Sequence, residues 1–204
     1  LTGQRFCLAP ISQALTRLGT TLLLAASHSL GVVPVDAHLA DFTVASGYKY
    51  LCATHMGILT WNRERQPAFN PLSVGWASAS DSTDGHAYAL HDDASRAQLG
   101  NPNHLDVYLL ASSLDYLLGF GIDTIAAHVS DLAARLHEKL SGLALEVITP
   151  GNPEERAGNI AFAHTGDASL VRQAAAAGIL LWDGNGRVRA SVHLFNTQAD
   201  IDSY

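Results

Sequence analysis

Two short apolar runs end on the residues with the most chemical potential in the chain. Leu22-Leu23-Leu24 runs into Ala-Ser-His28, and Phe42-Thr43-Val44-Ala45 runs into Ser46-Gly-Tyr48-Lys49. Each run has the length and bounding residues of a buried strand, so polar clusters around His28 and Lys49 are expected at strand ends. Ligands of open α/β sheets bind at the carboxyl ends of strands. A lysine amine placed there becomes a nucleophile toward carbonyls when a partly desolvated site lowers its pKa. On the residues alone, Lys49 is either such a group or a solvated surface lysine. Rival chemistries find little footing, because the chain has no Cys–His pair, GxSxG elbow, HExxH, P-loop or complete GxGxxG. Gly184-Asn185-Gly186 lacks the third glycine and follows no suitable strand, so it reads as a turn.

The elements that must position these residues follow from apolar spacing. Residues 10–18 predict a short helix with Pro10 in its first turn and Gly19 as its stop. Strands are expected at 21–25, 42–45 and 57–61, an α/β order. Periodicity then disappears over 63–103, where prolines and glycines punctuate a segment rich in Ser, Asp and His. A loop that long inside a compact domain is usually functional, and it is expected to be an active-site loop or interface arm. Leucines return at helical spacing from Leu105 to Leu118, and a second apolar series runs from Ile122 to Leu140, giving two helices or one broken helix. Strands at 143–149, 159–164, 179–182 and 188–194 are expected to follow, with a helix capped by Asp167 and ended by Gly178. The domain division predicted is 1–103 and 104–204, the latter an α+β domain.

Composition sets the bounds. With 204 residues, 48% hydrophobic and 15% charged, the chain is globular with a substantial core. A formal charge of -7 and a pI near 5.7 leave no basic run for phosphate neutralisation, which argues against nucleic acid. Cys7 and Cys52 form no CxxC, fit a reducing compartment and are read as core residues without a metal role. No charged leader with an apolar core and no run of membrane-spanning length is present, so the expected location is the cytoplasm, away from any membrane. The chain starts at Leu1, has Met56 as its only methionine and stops where a helix begins; it is expected to be a piece of something longer.

The segment AASHSLGVVPVDAHLADFTVASGYKYL resembles the cofactor segment of the class V aminotransferase-like enzymes, the pyridoxal-phosphate family that includes isopenicillin N epimerase, kynureninase and the cysteine desulfurases. Four further stretches resemble that family in the same order: Gly75-Trp76, Leu99-Gly100-Asn101-Pro102-Asn103, the helix from Leu114-Asp115-Tyr116-Leu117 through Gly121-Ile122-Asp123, and the block from Gly186 to Thr197. The resemblance implies a fold-type-I α/β architecture, with 1–103 an incomplete, mostly parallel large domain and 104–204 the small C-terminal domain. It implies pyridoxal 5'-phosphate as cofactor, an amino acid as substrate and a homodimer as the full-length assembly. Lys49 matches the lysine that forms the Schiff base and shuttles the alpha proton. Tyr48 matches a phosphate contact, with Ser46 a candidate beside it. His28 matches a position near the cofactor's phenolic oxygen, and Trp76 and Asn101 fall in the loop that reaches cofactor or substrate. Arg189 matches the arginine that binds the alpha-carboxylate, a role suited to a planar guanidinium. His193 and Asn196 in the same block read as structural.

The chain departs from the family pattern in three places. The aspartate that holds the pyridine nitrogen protonated is replaced by Ala25, and neither Asp36 nor Asp41 is an evident substitute. The family segments expected ahead of the one resembling Thr2-Gly3-Gln4-Arg5 lie outside this sequence. Residues 166–188 contain no cysteine where desulfurases carry theirs, so persulfide chemistry is not expected and the epimerase-like branch is the closer likeness. The reading is therefore a pyridoxal-phosphate enzyme of epimerase, transaminase or lyase type, impaired by Ala25, with a non-catalytic remnant or partner subunit as the alternative.

Overall fold

The structure is a computed structural model that describes residues 2–81, 87–166 and 169–203. Contacts divide it into two compact units, one of Leu8–Leu30 with Val35–Gly119, the other of Leu1–Cys7, Gly31–Pro34 and Phe120–Tyr204. The long stretches of the two units meet at Gly119 and Phe120.

In the first unit, α1 (Leu8–Arg17) ends before Gly19, whose φ of 63° suits a residue without a side chain. Its buried Ser12 hydroxyl donates to Leu39 O at 2.5 Å. Three strands follow, β1 (Leu23–Ala25), β2 (Phe42–Ser46) and β3 (Gly57–Trp61), in the order β1-β2-β3. β1 and β2 run parallel with Ala25 beside Val44, and β2 and β3 run antiparallel with Ser46 beside Gly57. The sheet is mixed, and its parallel pair requires the long crossover between residues 26 and 41. Phe69 packs edge-on against Phe42 and Trp61, at 4.9 and 5.7 Å between centroids.

Among its described residues, the segment without periodicity carries a two-stranded ribbon, β4 (Ala79–Asp81) with β5 (Ala89–Leu90), and short 3-10 turns at Trp76–Ser78 and Ala94–Ala97. Arg96 holds it down: Nε donates to His91 O at 2.7 Å, Nη1 donates to Phe69 O, and the guanidinium lies 5.2 Å from the Trp61 ring. Next comes α2 (His104–Phe120), which leaves Leu105, Tyr108, Tyr116 and Leu118 well exposed. No single helix is long and apolar enough to cross a membrane.

The second unit is built on α3 (Ile122–Gly142), which begins after Gly121 at φ 81°. Its Ile125, Val129, Leu132, Leu136 and Leu140 are buried along one stripe, and the helix packs on β6 (Asn159–Ala163). The sheet order is β6-β8-β7, with β7 at Trp182–Gly184 and β8 at Arg187–Ser191. Between β6 and β7 runs α4 (Ser169–Ala176), and α5 (Gln198–Asp202) closes the chain behind a Thr197–Asp200 capping box.

Several expectations change. Residues 143–149 form no strand, only a single bridge from Val147 to Phe162, because Ala144 takes φ 57° and the chain turns there. The 179–182 strand begins only at Trp182. Asp167, expected as a helix cap, lies outside the described residues. Both cysteines are free and exposed rather than in the core. Cys7 immediately precedes α1, and Cys52 sits at φ 57° on an outward turn.

Candidate active site

The parallel pairing of β1 and β2 sets their carboxyl ends side by side, as expected. After β1 the backbone turns at buried Ala26, whose carbonyl accepts from both Ser29 N and Leu30 N at 2.9 Å. That turn carries the half-buried His28. The two ends are tied together where Ser46 N donates to the Ser27 hydroxyl at 3.1 Å.

Beyond Ser46 the chain makes the compact turn that bears Tyr48 and Lys49. Gly47 is required there, since a Cβ would lie 2.7 Å from Ala53 O and 2.9 Å from Ala53 Cβ. Leu51 and Ala53 are fully buried and anchor the turn from within. Two contacts from α2 brace it: Ser113 Oγ donates to Leu51 O at 2.7 Å, and the buried Asp106 carboxylate accepts from His55 N at 2.6 Å. Lys49 and Tyr48 project outward, with Lys49 Nζ 4.5 Å from the Tyr48 ring centroid. The ammonium has no hydrogen bond or ion pair among the described residues, and the partial desolvation expected of it is not supplied by them. The only other lysine, Lys139, is occupied, donating to Ile201 O at 3.1 Å and Asp202 O at 2.5 Å.

Ala25 is exposed at the end of β1. Asp36 accepts from His38 N at 3.0 Å as a local cap, and Asp41 accepts from Leu22 N at 2.7 Å with Arg65 3.7 Å away. Asp41 is engaged at the opposite, entry end of the strands. The donors at the strand ends fit the aldehyde, phenolic oxygen and phosphate of pyridoxal phosphate. They include no carboxylate for its pyridine nitrogen.

Trp76 and Asn101 form a second cluster. A Cβ on Gly75 would come within 1.8 Å of Leu99 O, and one on Gly100 within 3.7 Å of Trp76 Nε1, so the two loops lie back to back. Ser78 Oγ fastens them by donating to Gln98 O at 2.5 Å. Both Trp76 and Asn101 are exposed. Neither has a hydrogen bond or ring contact to Lys49 among the described residues.

Arg189 occupies the middle of β8, opposite Ala161 of β6 and Trp182 of β7. Its guanidinium lies 4.9 Å from the Trp182 ring, and its Nε is buried without a partner. Burial, reinforced by the nearby Arg187 charge, pushes its pKa down. His193 and Asn196 do structural work, as expected: His193 N donates to Asn196 Oδ1 at 2.9 Å, and Asn196 N returns a bond to His193 O at 3.0 Å. Sequence reasoning passed over Arg187 and Trp182. The alternation Arg-Val-Arg in a strand, which places two arginines on one face, was the available signal.

Comparison with known proteins extends over the whole chain. The family model described as Aminotransferase class-V matches residues 1–204. A probable cysteine desulfurase of Pyrococcus abyssi is 28% identical over 206 residues, covering 91% of this chain and 51% of that protein. One from Methanothermobacter thermautotrophicus is 28% identical over 209 residues, covering 90% and 51%. The apo cysteine desulfurase of Thermococcus onnurineus NA1 superposes with a TM-score of 0.88 at 24% identity, over 98% of this chain and 55% of that one. A cystine C-S lyase in complex with cysteine persulfide gives 0.85 at 21% identity, over 98% and 56%. The chain spans about half the length of the curated relatives it matches.

Proposed function

Because the chain belongs to the class-V aminotransferase family and has the fold-type-I α/β architecture of its solved relatives, we propose that it is part of a pyridoxal-phosphate enzyme acting on an amino acid. The observation that carries this reading is the pair of tied strand ends, with His28 on one and Ser46, Tyr48 and Lys49 on the other. Pyridoxal phosphate, when bound, supplies an aldehyde that a lysine amine can capture and a conjugated ring that draws electrons from the substrate's alpha-carbon. Lys49 Nζ would hold the cofactor covalently and, when free, would move the alpha proton. The Tyr48 hydroxyl and Ser46 would hold its phosphate, and His28 would hold its phenolic oxygen. Arg189 clamps the alpha-carboxylate through two parallel charge-assisted bonds. In this reading residues 1–103 belong to the cofactor domain and 104–204 to the small domain, and Trp76 and Asn101 reach cofactor or substrate within a homodimer. The exposed apolar side chains of α2 support association with further protein. The free cysteines support a reducing, cytoplasmic setting.

The similar proteins named as desulfurases act on cysteine by name, yet residues 166–188 here hold no cysteine. That favours alpha-carbon chemistry of epimerase or transaminase type, or a lyase reaction without a persulfide. A second reading, a non-catalytic remnant or partner subunit, is favoured by Ala25. Added pyridoxal phosphate should give a visible absorbance band that Lys49→Ala removes; a folded sample without the band contradicts the first reading. Ala25→Asp should then raise alpha-proton exchange on amino acids. An unchanged rate would mean that the missing carboxylate is not what limits the site.

A further inference from the structure

Strand alternation places Arg187, Arg189 and Ser191 on one face of β8, while Val188 and Ala190 are buried on the other. Directly across on the arginine face the neighbours are small: Ala161 and Ala163 on β6, and Gly184 on β7. Trp182, opposite Arg189, is the exception. Its indole folds back over Gly184, where a Cβ would come within 2.8 Å of the ring, and lies 4.9 Å from the Arg189 guanidinium. Two cations therefore stand over a floor of small residues with one aromatic wall. The Nε of each is buried without a partner, and neither is paired with an acidic side chain among the described residues. Asp183, the nearest acid in sequence, pairs in register with Val188 and so points to the other face.

Like charges held this close repel one another, and partial burial weakens their screening by water. An anion that engages both relieves the strain. Residues two apart along a strand are separated by about 7 Å, so a single carboxylate forked on Arg189 leaves Arg187 unsatisfied. A dicarboxylate reaches both. We propose that Arg187 is a specificity-determining residue that receives the side-chain carboxylate of an acidic amino acid whose alpha-carboxylate Arg189 holds. This rests on the reading of Arg189 as the carboxylate anchor and adds the substrate class. A neutral amino acid would leave the Arg187 charge half-buried and unpaired, which is the basis of discrimination.

Calorimetric titration of the chain with succinate and with propionate at low salt tests this without cofactor or turnover. Succinate should bind about tenfold more tightly or better. Arg187→Gln should erase that advantage while leaving propionate binding in place, and Arg187→Lys should recover part of it. Arg189→Gln should weaken both acids. Circular dichroism confirms that each variant is folded. Equal affinities for the two acids, or a succinate preference that survives Arg187→Gln, overturn the inference while leaving the anchor intact. Propionate binding indifferent to Arg189→Gln overturns the anchor reading itself, and the inference with it.

Discussion

Lys49 hangs from a turn whose backbone is fixed and whose side chain is exposed, whereas Arg189 lies half-buried on a sheet face with its Nε covered. The turn is pinned from three sides, by buried Leu51 and Ala53, by Ser113 and by Asp106. Its amine nevertheless meets only one aromatic ring. On the arginine face the three strands of one sheet already cover the Nε of both Arg187 and Arg189. The backbone position of this lysine is thus fixed in part from α2, while its side chain stays exposed.

That contrast can be broken from either side, and the largest effect should come from the core under the sheet. Leu136 is fully buried on α3. Leu136→Ala should cost about 2–5 kcal/mol in urea denaturation, through lost transfer energy and the cavity left behind. A smaller loss would mean that the arginine face rests on something other than this core. On the other side, Gly47→Ala drives a Cβ against a backbone oxygen and should cost about 1–3 kcal/mol. It should also reduce covalent cofactor uptake in proportion to the displacement of Lys49. Unchanged uptake would show that the turn's geometry does not set the lysine's position.

The smallest effect concerns pH. Burial lowers the pKa of His193, next to the arginine strand. The folded state then binds fewer protons than the unfolded chain, whose histidine titrates near about 6.5. Stability from this group is present above that value and is lost as pH falls below it. Thermal melts at pH 7.5 and 5.5 should show a lower midpoint at the acid end, with the difference reduced in His193→Gln. A midpoint independent of pH across that window would contradict the assignment.

Much of this was legible in the sequence because it depends on short-range pattern. The apolar runs that end at Ala25 and Ser46, the break at Gly121 and the turn at Asn185-Gly186 follow from residue spacing and glycine placement. The braces on the lysine turn were not legible. Asp106 and Ser113 lie 51 and 62 residues from their partners His55 and Leu51, and no local periodicity encodes such a pairing. Cys52 was misread because average burial tendencies say nothing of a residue held at positive φ on an outward turn, and Cys7 is exposed just ahead of α1. Residues 143–149 had strand composition, but their pairing with β6 goes no further than the Val147–Phe162 bridge and its flanking backbone bonds, a length that composition cannot supply.

The central claim is that Lys49 is the cofactor-bearing residue, and the chain contains its own control. Incubation with pyridoxal phosphate, borohydride reduction and peptide mass spectrometry should place the cofactor on Lys49, with Lys139, whose ammonium is taken up by the carbonyls of Ile201 and Asp202, essentially unlabelled. Equal labelling of both lysines, or labelling of Lys139 alone, would contradict it.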